Sequence, residues 1–410
     1  MKIRYLILFM AAVLSSCERN SDTNDILIKF YGDAYEDIGY SVSETDNGYV
    51  ITGQITRLTR DGNYIIRDTN KVAVIRTDYE GNAIGEPLIF GGKLPGSGTK
   101  VLTLEDGTIV AVGYVVDTVT NKKDIYAIKL NPGGGYNQLI YKRTGNQYAT
   151  DVIQTQDGFL ILATTDIKRE PSTEVIGNAA GKKDIFLLRV NNNLDTLAPI
   201  PAVGFIGNDE GVAIKPDLGG GYIVVGTTDR SDRQASEQSG NNIFLLRVNS
   251  DGSTTQPRII GGTLNETASD FEVLSDGYLI AGTTGDEGST DQRGYIWKMP
   301  LDIYDEPEFM HEIIIEQSSS SVPFSINAIC KYKTSSFLLA GQHGTGLSSR
   351  MLIFSLDASG DLVEGRIKIV GGTGTQEAFD VISDNSDNII AVGSNSYENN
   401  SMICFLKFRF

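Results

Sequence analysis

GGTLNETASDFEVLSDGYLIAGTT, residues 261–284, holds two runs rich in apolar and β-branched residues, separated by Ser275-Asp276-Gly277. Each run is five to eight residues long and bounded by Gly, Asn or Asp, which reads as two strands joined by a tight hairpin. Just upstream, Asn242 to Gly252 (NIFLLRVNSDG) is a third apolar run ending in a turn. Both patterns recur along the chain. The first appears as Gly48-YVITG, Gly107-TIVAVG, Gly158-FLILAT, Gly221-YIVVG, Gly277-YLIAG, Ser336-FLLAG and Asn388-IIAVG, at intervals of 51 to 63 residues. The second follows each copy, from Val72, Asp124, Asp184, Asn242, Gly294, Met351 and Met402. A strand ending in paired glycines lies between units, as at Gly91-Gly92, Gly261-Gly262 and Gly371-Gly372.

Four short strands every 50 to 60 residues, seven times over, predict an all-β fold: a single seven-bladed β-propeller of four-stranded blades. A solenoid needs capped ends, and these termini have a different logic. The chain stops on the third strand of its last unit (SMICFLKFRF), and residues 26–32 (ILIKFYG) read as an orphan fourth strand. Pairing them closes the last blade with the N-terminal strand and removes two open sheet edges. The pattern GG…E-x-A-x-D…DGYLIAGTT…IFLLRVNSDG resembles the tandem propeller repeats of secreted and lipid-anchored bacterial proteins, over nearly all of residues 26–410.

The N-terminus gives an address. Lys2 and Arg4 precede an apolar run, Tyr5 to Val13. Nine helical residues rise about 14 Å, too short for a hydrocarbon core of about 30 Å but right for a signal peptide. The run ends in Leu14-Ser15-Ser16-Cys17, which resembles a lipobox. The expected organisation is therefore a lipoprotein signal peptide at 1–16, a lipidated Cys17 with a polar tether to residue 25, and the propeller at 26–410. Two or more acyl chains on Cys17 anchor stably in a membrane. A lipid-anchored propeller also resembles the surface lipoproteins of Bacteroidota that serve outer-membrane importers. That resemblance implies an outer-membrane lipoprotein, with Glu18 and Asp22 favouring the cell surface over the periplasmic face. It also implies an outer-membrane protein partner, or a small-molecule or glycan ligand.

Composition narrows the function. With 52 acidic against 35 basic residues the formal charge is −17, which repels a phosphate backbone and argues against nucleic acid. Two histidines and three cysteines leave little for a metal cage, and no cofactor or metal is expected. Cys330 and Cys404, inside apolar strands, read as buried thiols; His311 and His343 read as surface imidazoles. No G-x-S-x-G elbow or H-E-x-x-H motif occurs. The expected activity is binding or scaffolding without catalysis. The rival is a glycosidase or lyase using a carboxylate pair in the propeller centre.

In a ring of similar blades, a residue type that recurs is expected to hold the scaffold. The third-strand cations Arg76, Lys129, Arg189, Arg247, Lys298 and Lys407, and the first-strand carboxylates Asp151, Asp270 and Asp380, are such residues. What varies is the connection between second and third strands, long at 56–70 and 167–183 and short in the last two units. Strand alternation sets these loops on one face of the disc, where Arg57, Arg60, Arg67, Lys168, Arg169, Arg230 and Arg233 offset the acids. With Tyr64 they form the expected binding set, because long variable loops on a rigid scaffold carry recognition.

Overall fold

The computed structural model describes residues 26–61, 64–167, 183–197, 200–204, 207–229, 240–261, 264–285, 289–315, 322–398 and 400–410, with the backbone course alone at 33–34, 57–61, 64–68 and 200–202. The segment 1–25, with Cys17, and the loop residues Lys168, Arg169, Arg230 and Arg233 lie outside them. Among the described residues no helix is long and apolar enough to cross a membrane.

The described strands form seven four-stranded antiparallel sheets. β1 (Leu27–Tyr35) stands apart from its sequence neighbours. The first blade is β2 (Ile38–Thr45), β3 (Gly48–Asp61), β4 (Tyr64–Thr77) and a short edge strand, Leu88–Phe90. Five further blades span 96–141, 147–203, 209–260, 266–312 and 324–370. The seventh blade takes Thr375–Ser383, Ile389–Tyr397 and Asn400–Phe408 from the C-terminus and β1 as its outer strand. That pairing runs antiparallel from Leu27↔Lys407 to Tyr31↔Ile403. The fold is the seven-bladed propeller expected from the repeats, closed by both termini.

Each blade is apolar on both faces, so seven clusters of buried side chains fill the seven gaps between blades. Leu279 and Ile296 of blade five meet Phe324, Leu339 and Phe354 of blade six. Tyr31, Ile403 and Phe405 meet Tyr49 and Ile51 across the closing gap. Burying one such side chain contributes about 1.5–3 kcal/mol, so a blade stripped of a neighbour loses most of what holds it folded.

Every inner strand carries a β-bulge at the same place. The ladder to the second strand shifts register between Gly39 and Ser41, Gly98 and Lys100, Ala149 and Asp151, Gly211 and Ala213, Ala268 and Asp270, Ile326 and Ala328, and Ala378 and Asp380. A bulge adds twist and re-aims the side chains that follow it. It also explains the small residues closing the repeated second-strand motif. A Cβ on Gly113 would sit 2.0 Å from the Ser97 carbonyl oxygen, and one on Gly393 1.9 Å from that of Glu377.

Three expectations are corrected. Residues 56–70 are not a loop: β3 and β4 continue as a paired hairpin through Thr59↔Ile66 and Arg60↔Ile65 to Asp61↔Tyr64. Cys404 is buried, but Cys330 is only half-buried, at the margin of the cluster between blades six and seven; both thiols are free. His343 is not a surface imidazole. It is 8% exposed at the end of a second strand, paired with Phe324, and burial and Arg350 lower its pKa.

Candidate functional site

The inner strands bring one ionisable set to the ring axis. Asp151 accepts hydrogen bonds from its neighbour Val152 N–H (2.8 Å) and, across the gap, from Ile214 N–H of blade four (2.9 Å). Asp270 takes Phe271 N–H (2.8 Å) and Ile329 N–H of blade six (3.3 Å). Asp380 takes Val381 N–H (3.0 Å), Val42 N–H of blade one (3.1 Å) and the Ser41 hydroxyl (2.7 Å). Each aspartate follows its bulge, and each staples its blade to the next.

Seven is odd, so paired staples cannot tile the ring. Aspartates on blades three, five and seven serve the pairs 3–4, 5–6 and 7–1, and blade two is left over. There Lys100 occupies the position after the bulge, and its ammonium reaches 3.5 Å from Asp380. Burial opposes that charge, but Asp380, Asp151 and Asp270 together hold its pKa above the ordinary lysine value. The remaining gaps use other bonds. Ser41 Oγ accepts from Val101 N–H (3.3 Å), Thr99 Oγ1 donates to Ala149 O (2.9 Å), and Asn327 Nδ2 donates to Ala378 O (2.9 Å). Lys215 of blade four pairs with Glu272 (2.8 Å) and Asp270 (3.5 Å) of blade five.

This axial set differs from a catalytic pair in how its oxygens are occupied. Burial pushes the Asp151 pKa up to about 6, against the pull of Lys100 and the Ile214 amide. Burial likewise raises Glu272, countered first by Lys215. The three aspartates are engaged by backbone amides, and Glu272 is bracketed by Lys215 and, at 3.9 Å, Lys331. Burial raises the Cys330 pKa well above the thiol range, with Glu272 and Asp380 adding to it, so its sulfur is held protonated. Among the described residues no three His, Cys, Asp or Glu side chains gather in a metal-holding group.

The third-strand cations are tied to turns on the disc face formed by the A–B and C–D turns. Arg247 bonds Asp217 (2.8 Å) and the Leu301 carbonyl of the next blade (2.9 Å). Lys129 donates to Asn192 O (2.8 Å), Lys407 to Tyr79 O (2.6 Å), and Arg189 lies 3.6 Å from Asp157. Lys298 pairs with Asp276 (2.6 Å) and Glu308 (2.9 Å). Arg76 is exposed.

The opposite face carries the hairpin. β3 and β4 are fourteen residues long, against seven to nine for the other second and third strands. The inner strand stops pairing at Gln54 and the edge strand at Val72, so the outer part of the hairpin is two-stranded. Arg57, Arg60, Tyr64 and Arg67 lie on this stretch, with Arg60 opposite Ile65, Tyr64 opposite Asp61 and Arg67 opposite Leu58. The structure thus brings four of the eight expected loop-face residues onto one hairpin; the other four lie outside the described residues.

No family profile and no curated protein matches the chain. Solved structures do. A puromycin hydrolase mutant in complex with PGG superposes with a TM-score of 0.52 at 12% identity, over 89% of this chain and 50% of that one. Raptor from Chaetomium thermophilum gives 0.51 at 10% identity, over 92% of this chain and 29% of that one. The chain spans about half the length of the first and under a third of the second. The likeness is one of propeller fold.

Proposed function

We propose that the chain is a membrane-anchored propeller lipoprotein, held by acyl groups on Cys17, that acts as a binding and scaffold module. Its place is the outer membrane, on the cell-surface side, as an accessory to an importer or envelope complex. The observation that carries this reading is the extended β3–β4 hairpin. Two strands without a third neighbour are marginal in water, and this pair carries three arginines and a tyrosine on a strongly acidic protein. Arg and Tyr are enriched where interfaces form. The partner face is therefore the one bearing the hairpin, and the partner presents negative charge to it.

The rival reading, a carbohydrate-active enzyme with a carboxylate pair at the axis, is disfavoured by the way Asp151, Asp270 and Asp380 are spent on amides of adjacent blades. The first test is the anchor. Cys17→Ser is expected to move the protein from the membrane fraction to the soluble one, read by fractionation after a salt wash. Mass spectrometry of the parent should show an acylated N-terminal cysteine. Retention of Cys17→Ser in the washed membrane overturns the lipid anchor.

A further inference from the structure

Two of the grooves between blades on the turn face are closed by a second-strand tyrosine. Between blades four and five, Tyr278 fills the groove. Its hydroxyl donates to Asp217 (2.7 Å), and Arg247 reaches both the Tyr278 oxygen (3.2 Å) and Leu301 O. Across the closing gap Tyr49 donates to Asp384 in the same way (2.7 Å). Between blades five and six the residue at that position is Phe337, as it is Phe159 in blade three, and it has no hydroxyl to donate. Lys298 is held by Asp276 and Glu308, and the groove is open as a cavity of about 450 Å³. The equivalent groove between blades three and four holds about 120 Å³. Only the larger lies in the range of small-molecule sites, about 300–1,000 Å³.

The lining is basic and rich in hydroxyls on a protein of charge −17. Lys298, Lys331 and Lys333 face one groove acid, Asp276, together with Ser275 and Thr334. Lys298 is satisfied by its two acids, and Lys331 lies 3.9 Å from Glu272. Lys333 has no ion-pair partner among the described residues; its ammonium lies 4.7 Å from the centre of the Tyr332 ring. Its backbone is left-handed, at φ 53°, a conformation that a lysine adopts at some cost and that fixes where its side chain leaves the turn. We infer that this groove binds a compact polyol bearing an oxyanion, with Lys333 and Lys331 on the anion and Ser275 and Thr334 on the hydroxyls. This rests on reading the protein as a binding module and names a second ligand site, on the face away from the hairpin.

Isothermal titration of the detergent-solubilised full-length protein with glucose 6-phosphate, glucuronate and glucose tests it. Either or both anionic probes should bind, and which of them binds tighter separates a phosphate from a carboxylate ligand. Glucose should give no saturable heat. Lys333→Asn keeps a residue that tolerates left-handed backbone and should weaken binding at least about ten-fold, as the loss of a charge-assisted contact does. Lys331→Gln should weaken it less, and both variants should keep the parent melting temperature. No binding by either anion, equal binding of glucose, or parental affinity in Lys333→Asn overturns the site. The hairpin does not enter this measurement, so a silent titration with intact partner capture removes this inference and leaves the proposed function standing.

Discussion

Removing residues 26–32 is expected to lower the melting temperature by at least about 5 °C and to make the protein self-associate. The deletion takes away the β1 pairing from Leu27↔Lys407 to Tyr31↔Ile403. It also removes the Tyr31 ring from the seventh gap, where it packs edge-on against Phe405 and its hydroxyl donates to Gly81 O at 2.7 Å. One buried aromatic contributes about 2 kcal/mol and each net ladder hydrogen bond about 0.5–1.5 kcal/mol, so a loss of at least about 4 kcal/mol follows. The strand Asn400–Phe408 then becomes an open edge, which templates pairing with another copy. A thermal melt and a size-exclusion profile equal to the parent's would refute closure by the N-terminal strand.

Asp380→Ala should be the most damaging of the single axial substitutions. It strands the Ser41 hydroxyl and the Val42 and Val381 amides, and takes from Lys100 its nearest acid. Breaking a buried, hydrogen-bonded charge pair on one side costs about 3–5 kcal/mol. By contrast Asp276→Ala, at an exposed turn, should cost about 1 kcal/mol or less. Adding Lys100→Met to Asp380→Ala should restore part of the loss, because the uncompensated ammonium is gone, with a coupling of about 1–3 kcal/mol. Urea unfolding of the parent, Asp380→Ala, Lys100→Met, the double variant and Asp276→Ala decides it. An Asp380→Ala midpoint no lower than that of Asp276→Ala would show that the axial carboxylates do not staple the ring.

Most of the scaffold was legible because its physics repeats. The second-strand glycine marks where a bulge pushes a carbonyl against the chain, as at Gly113 and Gly393. The A-x-D triplets at 149–151, 268–270 and 378–380 mark the staples, and Ile26-LIKFYG marked the missing strand. The misreadings come from places where the repeat was trusted over the local signal. Residues 56–70 looked like an insertion beside shorter copies. Yet Asp61-Gly62-Asn63 is hairpin-turn chemistry between β-branched runs, and it announces the paired extension that the structure contains. Cys330 and His343 were misjudged because composition does not tell how fully the margin of a core cluster or the end of a strand is covered. The groove between blades five and six was not legible in the sequence, because Phe337 has a counterpart in Phe159 of blade three; it emerges only beside the cross-blade bonds of Tyr49 and Tyr278.

On the proposed function, recurring charges hold the ring while the non-repeating hairpin face meets a partner. The most direct test is capture from detergent-solubilised outer membranes by the anchored, tagged full-length protein. The parent should retain an outer-membrane importer or assembly protein. Changing Arg57, Arg60, Arg230 and Arg233 to Glu should reduce that capture at least about ten-fold at low ionic strength, mainly through slower association. Changing Asp46, Asp106, Asp157 and Asp276 to Lys should leave it within about two-fold, since those turns face away from the hairpin. Loss of capture in the aspartate set with retention in the arginine set would place the partner on the other side of the disc and contradict the account.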